Sequence, residues 1–406
     1  MARSHDILEL ASRYRMDTAR VLSRMIQVKS YSSREEEVCR LIEQMCRDAG
    51  CDEVRIDGLG SVIARVGRGS KLLAFDAHID TVEVGDPDQW ALDPFSGEIA
   101  DGLVKGRGAS DQKGGAASMV TAIRMLKELG YDGEYSVYFT FTVMEEDCDG
   151  MCWKYLIEEE GLKPDYVVST EPTSCRLTRG HRGRMEMVAR LKGVSSHGSA
   201  PERGVSAAYK AARAVLAVEE LNDRLESDED NFLGKGTIVV SQVEVKGPSQ
   251  CAVPDRAMIY LDRRLTWGED AQLAISQVKQ VMAEATGDDP ESIEVTMPRY
   301  DKLGWRQTPY SQELYFPTWK IPESHELVAS GKRAFAELYG REPAVDKWTF
   351  STNLVATTGR HGIPAIGFGP GDESQAHAPN EVNRIDDLEV CSAFYAMLPY
   401  ALEAQG

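Results

Sequence analysis

The chain has 406 residues, with 46 Lys and Arg against 65 Asp and Glu, for a formal net charge of −19. Apolar residues at 42% and charged residues at 27% describe a globular protein, and exclude a disordered tail, a collagen and a coiled-coil rod. At roughly 150 residues per domain the length implies about two or three domains, and so acidic a chain repels nucleic acid and anionic membrane surfaces, which excludes both as partners.

The opening stretch, Met1 to Leu10, carries Arg3, His5, Asp6 and Glu9 where a secretion signal would have an apolar core. No run approaches the roughly 18 consecutive apolar residues of a membrane-spanning helix. The eight cysteines are scattered and form no CxxC pair, which predicts reduced thiols in a cytoplasmic protein.

Residues 6–28 place Leu10, Tyr14, Val21, Leu22 and Met25 at near-helical spacing and predict a helix. A second helix is expected from Ser33, with Glu36 three positions on as a capping box and Gly50 as its stop. Strands are expected at 54–56 and 61–66. Residues 72–78 form an apolar strand that turns polar at His78. Residues 113–129 read as a helix with Met119, Ile123 and Leu126 on one face, closed by Gly130. Residues 135–144 carry the strongest strand pattern, and 166–170 another. Late in the chain, 335–338 sits on a helix and 364–368 forms a short strand before Gly369-Pro370-Gly371. This alternation predicts an α/β sheet with helices on both faces.

The middle reads differently. A strand at 185–191, a helix at 205–221, strands at 237–245 and 257–263, a helix at 271–285 and a strand at 293–297 give the order β-α-β-β-α-β. That is the ferredoxin-like split motif. It predicts a domain at 181–297 inserted into one made of 1–180 and 298–406. The seven acidic residues between Glu219 and Asp230 read as a solvated helix end and loop.

Polar clusters stand where the outer domain's predicted strands end. They are His78-Ile79-Asp80, Glu145-Glu146, Glu171-Pro172-Thr173 and His377-Ala378-Pro379-Asn380-Glu381, with Asp111 in the Gly-rich stretch Gly106 to Gly115. In an open α/β sheet, ligands bind at the carboxyl ends of the strands. Imidazoles and carboxylates converging there repel one another and lose solvation unless cations neutralise them. Nitrogen and oxygen donors without thiolate suit zinc or the divalent metals that compete with it. Two metals about 3.5–4 Å apart, bridged by one carboxylate, use this number of ligands.

These stretches, together with Ser195 to Gly204, occur in an order that resembles the co-catalytic zinc hydrolase family. That family includes acetylornithine deacetylase, succinyl-diaminopimelate desuccinylase, aminoacylase and carboxypeptidase G. Nearly the whole chain takes part, and the nearest likeness is to a subgroup of selenium-metabolism-linked hydrolases. The resemblance implies a mixed-sheet catalytic domain, an inserted dimerisation or lid domain, and two Zn2+ per subunit, with Co2+ or Mn2+ as substitutes. It implies that Asp111 bridges the metals, that His78 and Glu171 complete one site, and that His377 and Glu146 complete the other. Asp80 would orient the His78 imidazole. Glu145 would be the general base that takes a proton from metal-bound water and passes it to the leaving amine. The bond after the bridging Asp is cis in the family, so Asp111–Gln112 is expected to be cis. His197 would reach the active site of the second subunit of a homodimer and stabilise the oxyanion.

The implied reaction is hydrolysis of the amide bond of a small N-acyl amino acid. A carboxypeptidase or dipeptidase and an N-carbamoyl hydrolase are the alternatives on the same site. A non-catalytic metal-binding scaffold and a serine or cysteine hydrolase are alternatives of other classes. Two departures bear on the substrate. Cys251 stands where relatives often carry Asn, and Asn353 follows Ser351-Thr352 where desuccinylase-like members carry a run leading to Arg. Arg182, Arg263 and Arg264 are the remaining candidates to clamp a substrate carboxylate.

Overall fold

The computed structural model describes residues 2–404. The chain divides into two compact units. Unit 1 comprises Met1–Gly180, Asp301–Tyr310 and Lys320–Gly406, and unit 2 comprises His181–Tyr300 and Ser311–Trp319. The chain first crosses from unit 1 to unit 2 after Gly180. The segment Ser311–Trp319, expected in the outer domain, belongs instead to unit 2. Its strand Tyr315–Phe316 pairs with Arg184 and Met185, which ties it there.

The helices are α1 (Ala2–Ile26), α2 (Glu36–Asp48), α3 (Lys113–Glu128), α4 (Met151–Glu158), α5 (Ala207–Arg224), α6 (Ala271–Thr286), α7 (Glu326–Tyr339) and α8 (Ile385–Glu403). Among the described residues, no helix is long and apolar enough to cross a membrane.

Unit 1 is built on an eight-stranded mixed sheet. Its order is Glu53–Ile56, Val62–Val66, Tyr135–Thr142, Lys71–His78, Tyr166–Ser169, Ala365–Gly367, Leu177–Thr178 and Val345–Asp346. The strands from Tyr135–Thr142 to Ala365–Gly367 run parallel to one another. Antiparallel pairing joins Val62–Val66 and Leu177–Thr178 to that core. Parallel strands covered on both faces need apolar side chains in both directions. Leu73, Ala74, Phe75 and Ala77 on one strand and Val137, Phe139 and Phe141 on the next supply them, all buried.

Alternation along Lys71–His78 divides the two covering layers. Phe75 points to α8, where its ring lies 5.1 Å from that of Tyr395. Its neighbour Asp76 points the other way, toward Asn353, whose side chain also holds the Gly150 amide at the start of α4. Helices therefore cover both faces. α8 is apolar on nearly every side, as a helix enclosed by its neighbours must be: Leu388, Phe394, Tyr395 and Leu398 are all fully buried. Phe394 stacks on Phe368 with ring centroids 3.9 Å apart.

Two local expectations change. The Ser33–Glu36 capping box does not form. Ser33 has φ 70°, and α2 begins without a side-chain cap. The acid one residue earlier, Glu35, turns inward instead and is fully buried, with Oε1 accepting the amides of Ser33 and Met144. The strand expected to reach 144 ends at Thr142, because Met144, at φ 59°, turns the chain just before Glu145.

Unit 2 has the expected order of elements. Its antiparallel sheet runs Thr237–Lys246, Arg256–Leu265, Gly183–Lys192, Glu294–Thr296. That is the ferredoxin-like arrangement, with Tyr315–Phe316 added beside Gly183–Lys192. One face carries Met185, Met187, Ala189, Ile259 and Leu261, which pack with Ala211, Ala214 and Val218 of α5 and Val278 and Met282 of α6. Thr237–Lys246 is an edge strand, and Val239, Val243 and Val245 stand exposed on it.

The Phe394–Phe368 contact gives a test of the unit 1 core. Phe394→Ala is expected to lower unfolding stability by about 3–5 kcal/mol, measured by denaturant titration.

Candidate metal centre

Unit 1 brings the predicted ligands to one edge of its sheet. His78 ends one parallel strand, Glu145 and Glu146 follow the turn after a second, and Glu171 follows a third. Asp111 and His377 arrive on loops. His78 Nε2 lies 2.9 Å from Asp111 Oδ1, 3.7 Å from Glu171 Oε1 and 3.9 Å from Glu145 Oε2. The other oxygen of Asp111 lies 3.7 Å from His377 Nε2, and His377 Nε2 lies 2.8 Å from Glu146 Oε2. Asp111 thus stands between the two imidazoles, one oxygen toward each. The Asp111–Gln112 peptide is cis.

His78 and Glu171 are buried, whereas the His377 side chain is 58% exposed and is the solvent-facing member. Adjacent Glu145 and Glu146 diverge, one toward His78 and the other toward His377. Asp80 makes this possible. It is buried, and its Oδ1 accepts the Glu145 amide at 3.2 Å while its Oδ2 accepts the Glu146 amide at 3.1 Å and the Ser32 hydroxyl at 2.7 Å. The imidazole Nδ1 of His78 meets the main-chain oxygen of Asp80 at 3.0 Å, and the carboxylate only at 3.5 Å. Asp80 therefore orients the ring chiefly through its carbonyl and spends its carboxylate on the Glu145–Glu146 turn.

The electrostatics of the cluster fit divalent cations. Burial drives the carboxyls of Glu145 and Glu171 well above the carboxylate range, with neighbouring acids adding to it. Burial raises Glu146 as well. Burial pulls His78 down, but Glu171, Asp111 and Asp80 outweigh it and hold the ring well above its ordinary value. A protein-only cluster must keep protons it would release in water. Glu171 Oε2 is buried without a hydrogen-bond partner, as an oxygen reserved for an ion would be. Two overlapping groups, His78 with Glu145 and Glu171, and His78 with Asp111 and Glu146, have donor atoms within 4.8 Å of one another. The donors are nitrogen and oxygen only, the set that suits zinc and its divalent competitors.

A supporting residue went unassigned in the sequence reading. Glu381, four positions past His377, is fully buried, and its carboxylate accepts the amides of Gly108, Ser110 and Asp111 and the Arg107 guanidinium at 2.7–2.9 Å. Burial nonetheless pushes its carboxyl up to about 7. It shapes the loop that presents Asp111. The only signal in sequence was an acid closing the His377 motif opposite a Gly-rich loop.

The substrate candidates fare differently. Asn353 is buried in unit 1, with Nδ2 donating to Asp76 and Thr142 and Oδ1 accepting from Gly150 and Cys152. Its hydrogen-bonding capacity is spent inside the fold, so it serves the scaffold. Arg263 is buried in unit 2 and bonded to Glu269 and Gln277, which takes it out of reach of a substrate. Arg264 is held by Asp262 through two nitrogens, and Arg182 donates to the Lys235 carbonyl. Cys251 is exposed, and its carbonyl accepts the Gly198 amide, so unit 2 sets it beside His197. His197 itself is exposed, and Nδ1 accepts the Ser199 amide at 3.2 Å. The Ser199 hydroxyl lies 2.7 Å from the same nitrogen.

The sequence pattern of Peptidase family M20/M25/M40 matches residues 74–400. The chain is 47% identical over 393 residues to the protein of Escherichia coli (strain K12) called Uncharacterized protein YgeY, covering 97% of this chain and 96% of that one. It is 31% identical over 403 residues to succinyl-diaminopimelate desuccinylase of Cereibacter sphaeroides (strain KD131 / KCTC 12085), covering 94% and 97%. Among solved structures, the Bacillus subtilis YXEP protein, described as a dinuclear metal binding peptidase from the M20 family, aligns with a TM-score of 0.72. That likeness, at 15% identity over 97% of this chain and 99% of that one, speaks for the fold alone.

The reassignment of Asn353 is testable. Asn353→Ala is expected to cost about 1–3 kcal/mol of stability by stranding the buried Asp76 carboxylate, and to leave KM unchanged. Denaturant unfolding and steady-state kinetics on one preparation check both halves.

Proposed function

The chain belongs to peptidase family M20/M25/M40, whose members are metal-dependent hydrolases of amide bonds, and on that premise we propose that it removes the acyl group from a small N-acyl amino acid. Asp111 would be shared between two metals, with His78 and Glu171 completing one site and His377 and Glu146 the other. Bound there, the metals would supply Lewis acidity toward the acyl oxygen and make water acidic enough to attack at neutral pH.

The observation that carries the reading is the parting of Glu145 from Glu146. Glu146 is committed to His377 at 2.8 Å, whereas Glu145 Oε2 stands 3.9 Å from His78 Nε2, beyond a hydrogen bond. Glu145 is buried beside the proposed ligands. It takes the proton of the attacking water and delivers it to the amine nitrogen as the C–N bond breaks. Asp80 fixes the turn from which it does so. An imidazole N–H of His197 is a donor suited to the developing oxyanion. His197 is exposed and belongs to unit 2, and the resemblance to the co-catalytic zinc hydrolases supports the reading that a second copy supplies it. The exposed valines on the edge strand Thr237–Lys246, and Tyr209 and Leu216 on α5, are the apolar surface available for that pairing. The resemblance to desuccinylases supports the N-acyl substrate over a dipeptide.

A panel of N-acetyl, N-succinyl and N-carbamoyl amino acids and dipeptides, assayed with zinc and with a chelator, tests the substrate class. Zinc-dependent release of amine from the N-acyl compounds is expected, and preference for dipeptides would replace the acyl reading with a dipeptidase. Glu145→Gln is expected to lower kcat by about 10²–10⁴-fold with metal content unchanged. His197→Ala is expected to lower kcat by about 10²-fold, also with metal retained. Mixing these two inactive variants should restore activity, because each mixed pair then holds one site with both residues intact. No recovery on mixing would place His197 in its own subunit's site or outside catalysis.

A further inference from the structure

A pair of thiols lies directly behind one of the metal-ligand turns. Cys175 Sγ and Cys391 Sγ are 3.7 Å apart, in van der Waals contact. Cys391 is fully buried on α8, and Cys175 is partly exposed. Cys175 ends the segment Glu171-Pro172-Thr173-Ser174-Cys175. Ser174 and Cys175 have φ 52° and 56°, consecutive left-handed conformations that L-residues rarely adopt.

Such a turn persists only where its surroundings hold it. Trp348 Nε1 donates to the Pro172 carbonyl at 3.0 Å. The Thr173 hydroxyl donates to the Gly369 carbonyl at 3.0 Å, the Ser174 amide donates to Gly371, and the Cys175 amide donates to Gly369. The same bonds tie down Gly369–Gly371, from which the chain runs on to His377. Both segments carry a proposed ligand, and both are anchored within a few residues of Cys175.

We propose that Cys175 and Cys391 form a reversible disulfide, and that closing it withdraws Glu171 from the metal centre. The proposal rests on the reading of Glu171 as a metal ligand. The thiols respond to peroxide. Cys175 sulfur, the accessible one, attacks a peroxide oxygen, the O–O bond breaks, one water leaves and a sulfenic acid remains. Cys391 sulfur then attacks the Cys175 sulfur, the S–S bond forms, the S–O bond breaks and a second water leaves with the thiol proton. Two thiols lose two electrons and one peroxide gains them. A dithiol reductant reverses the change. Closure from contact to a bond of about 2.05 Å needs a movement of well over an ångström. α8 is enclosed on nearly every side, so closure falls on the Pro172–Cys175 turn, breaks its bonds to Trp348 and Gly369–Gly371, and so displaces Glu171.

The test uses the zinc-loaded full chain, treated with hydrogen peroxide and then with dithiothreitol. Non-reducing peptide mapping reads the disulfide, chelator competition reads zinc retention, and amine release reads turnover. Expected are a Cys175–Cys391 linked peptide, faster loss of zinc and about a 10-fold or greater fall in turnover, all reversed by dithiothreitol. Cys175→Ser and Cys391→Ser are each expected to keep basal turnover and to resist peroxide. Absence of the linked peptide overturns the proposal. So does a linked peptide with zinc retention and turnover unchanged, or an equal loss in Cys391→Ser. Reduced protein that holds no zinc at all would sink the metal reading first, and this inference with it.

Discussion

Four carboxylates, Asp111, Glu145, Glu146 and Glu171, are held within reach of two imidazoles and largely out of contact with water. Burying one unpaired carboxylate is costly, and crowding four is more so. Much of unit 1 is arranged around that cost. Further buried acids surround the cluster, and each accepts hydrogen bonds from donors of the fold, although Glu35 Oε2 is left without one. Asp80 takes two amides and a hydroxyl, Glu381 takes three amides and a guanidinium, Glu35 takes two amides, and Asp76 is held by Thr140, Thr142 and Asn353. The divergence of Glu145 from Glu146 is one product of this arrangement, since Asp80 holds both amides and so sets both directions.

The parallel core was legible because buried strands are short apolar runs, and the residues at their ends were legible because that is where an open sheet presents its ligands. The β-α-β-β-α-β order of unit 2 was equally plain from alternating periods. What escaped the reading depends on contacts distant in sequence. Ser33 and Glu36 have the spacing of a capping box, but Glu35 finds better use against the Met144 amide, more than a hundred residues away. Tyr315–Phe316 is too short to announce itself as a strand, and only its pairing with Arg184 and Met185 makes it one. Asn353, Arg263 and Arg264 look like surface donors in sequence. The fold encloses the first two, and a neighbouring acid occupies the third. Periodicity reports which face of an element is apolar; it says nothing about which polar side chain will be carried inward by a loop.

The two units answer different demands. Unit 1 uses a parallel sheet enclosed by helices, which suits a rigid edge where several strand ends meet. Unit 2 covers one face of an antiparallel sheet with two helices and leaves the other face and the edge Thr237–Lys246 open. The His197 segment is pinned to Cys251–Ala252 by the Gly198 amide and by an isolated bridge between His197 and Ala252. The imidazole therefore sits on a short, braced loop rather than on a free one.

The discontinuity of unit 1 has a consequence for how the molecule is made. Chains emerge from the ribosome N-terminus first. Unit 2 lacks its added strand until Phe316 has been synthesised. By then the sheet of unit 1 still lacks Ala365–Gly367, and the centre still lacks His377, Glu381 and α8. For most of translation His78, Asp111, Glu145, Glu146 and Glu171 are acids and an imidazole without their last partners. The cluster is thus kept incomplete until the chain has been read past His377 and Glu381.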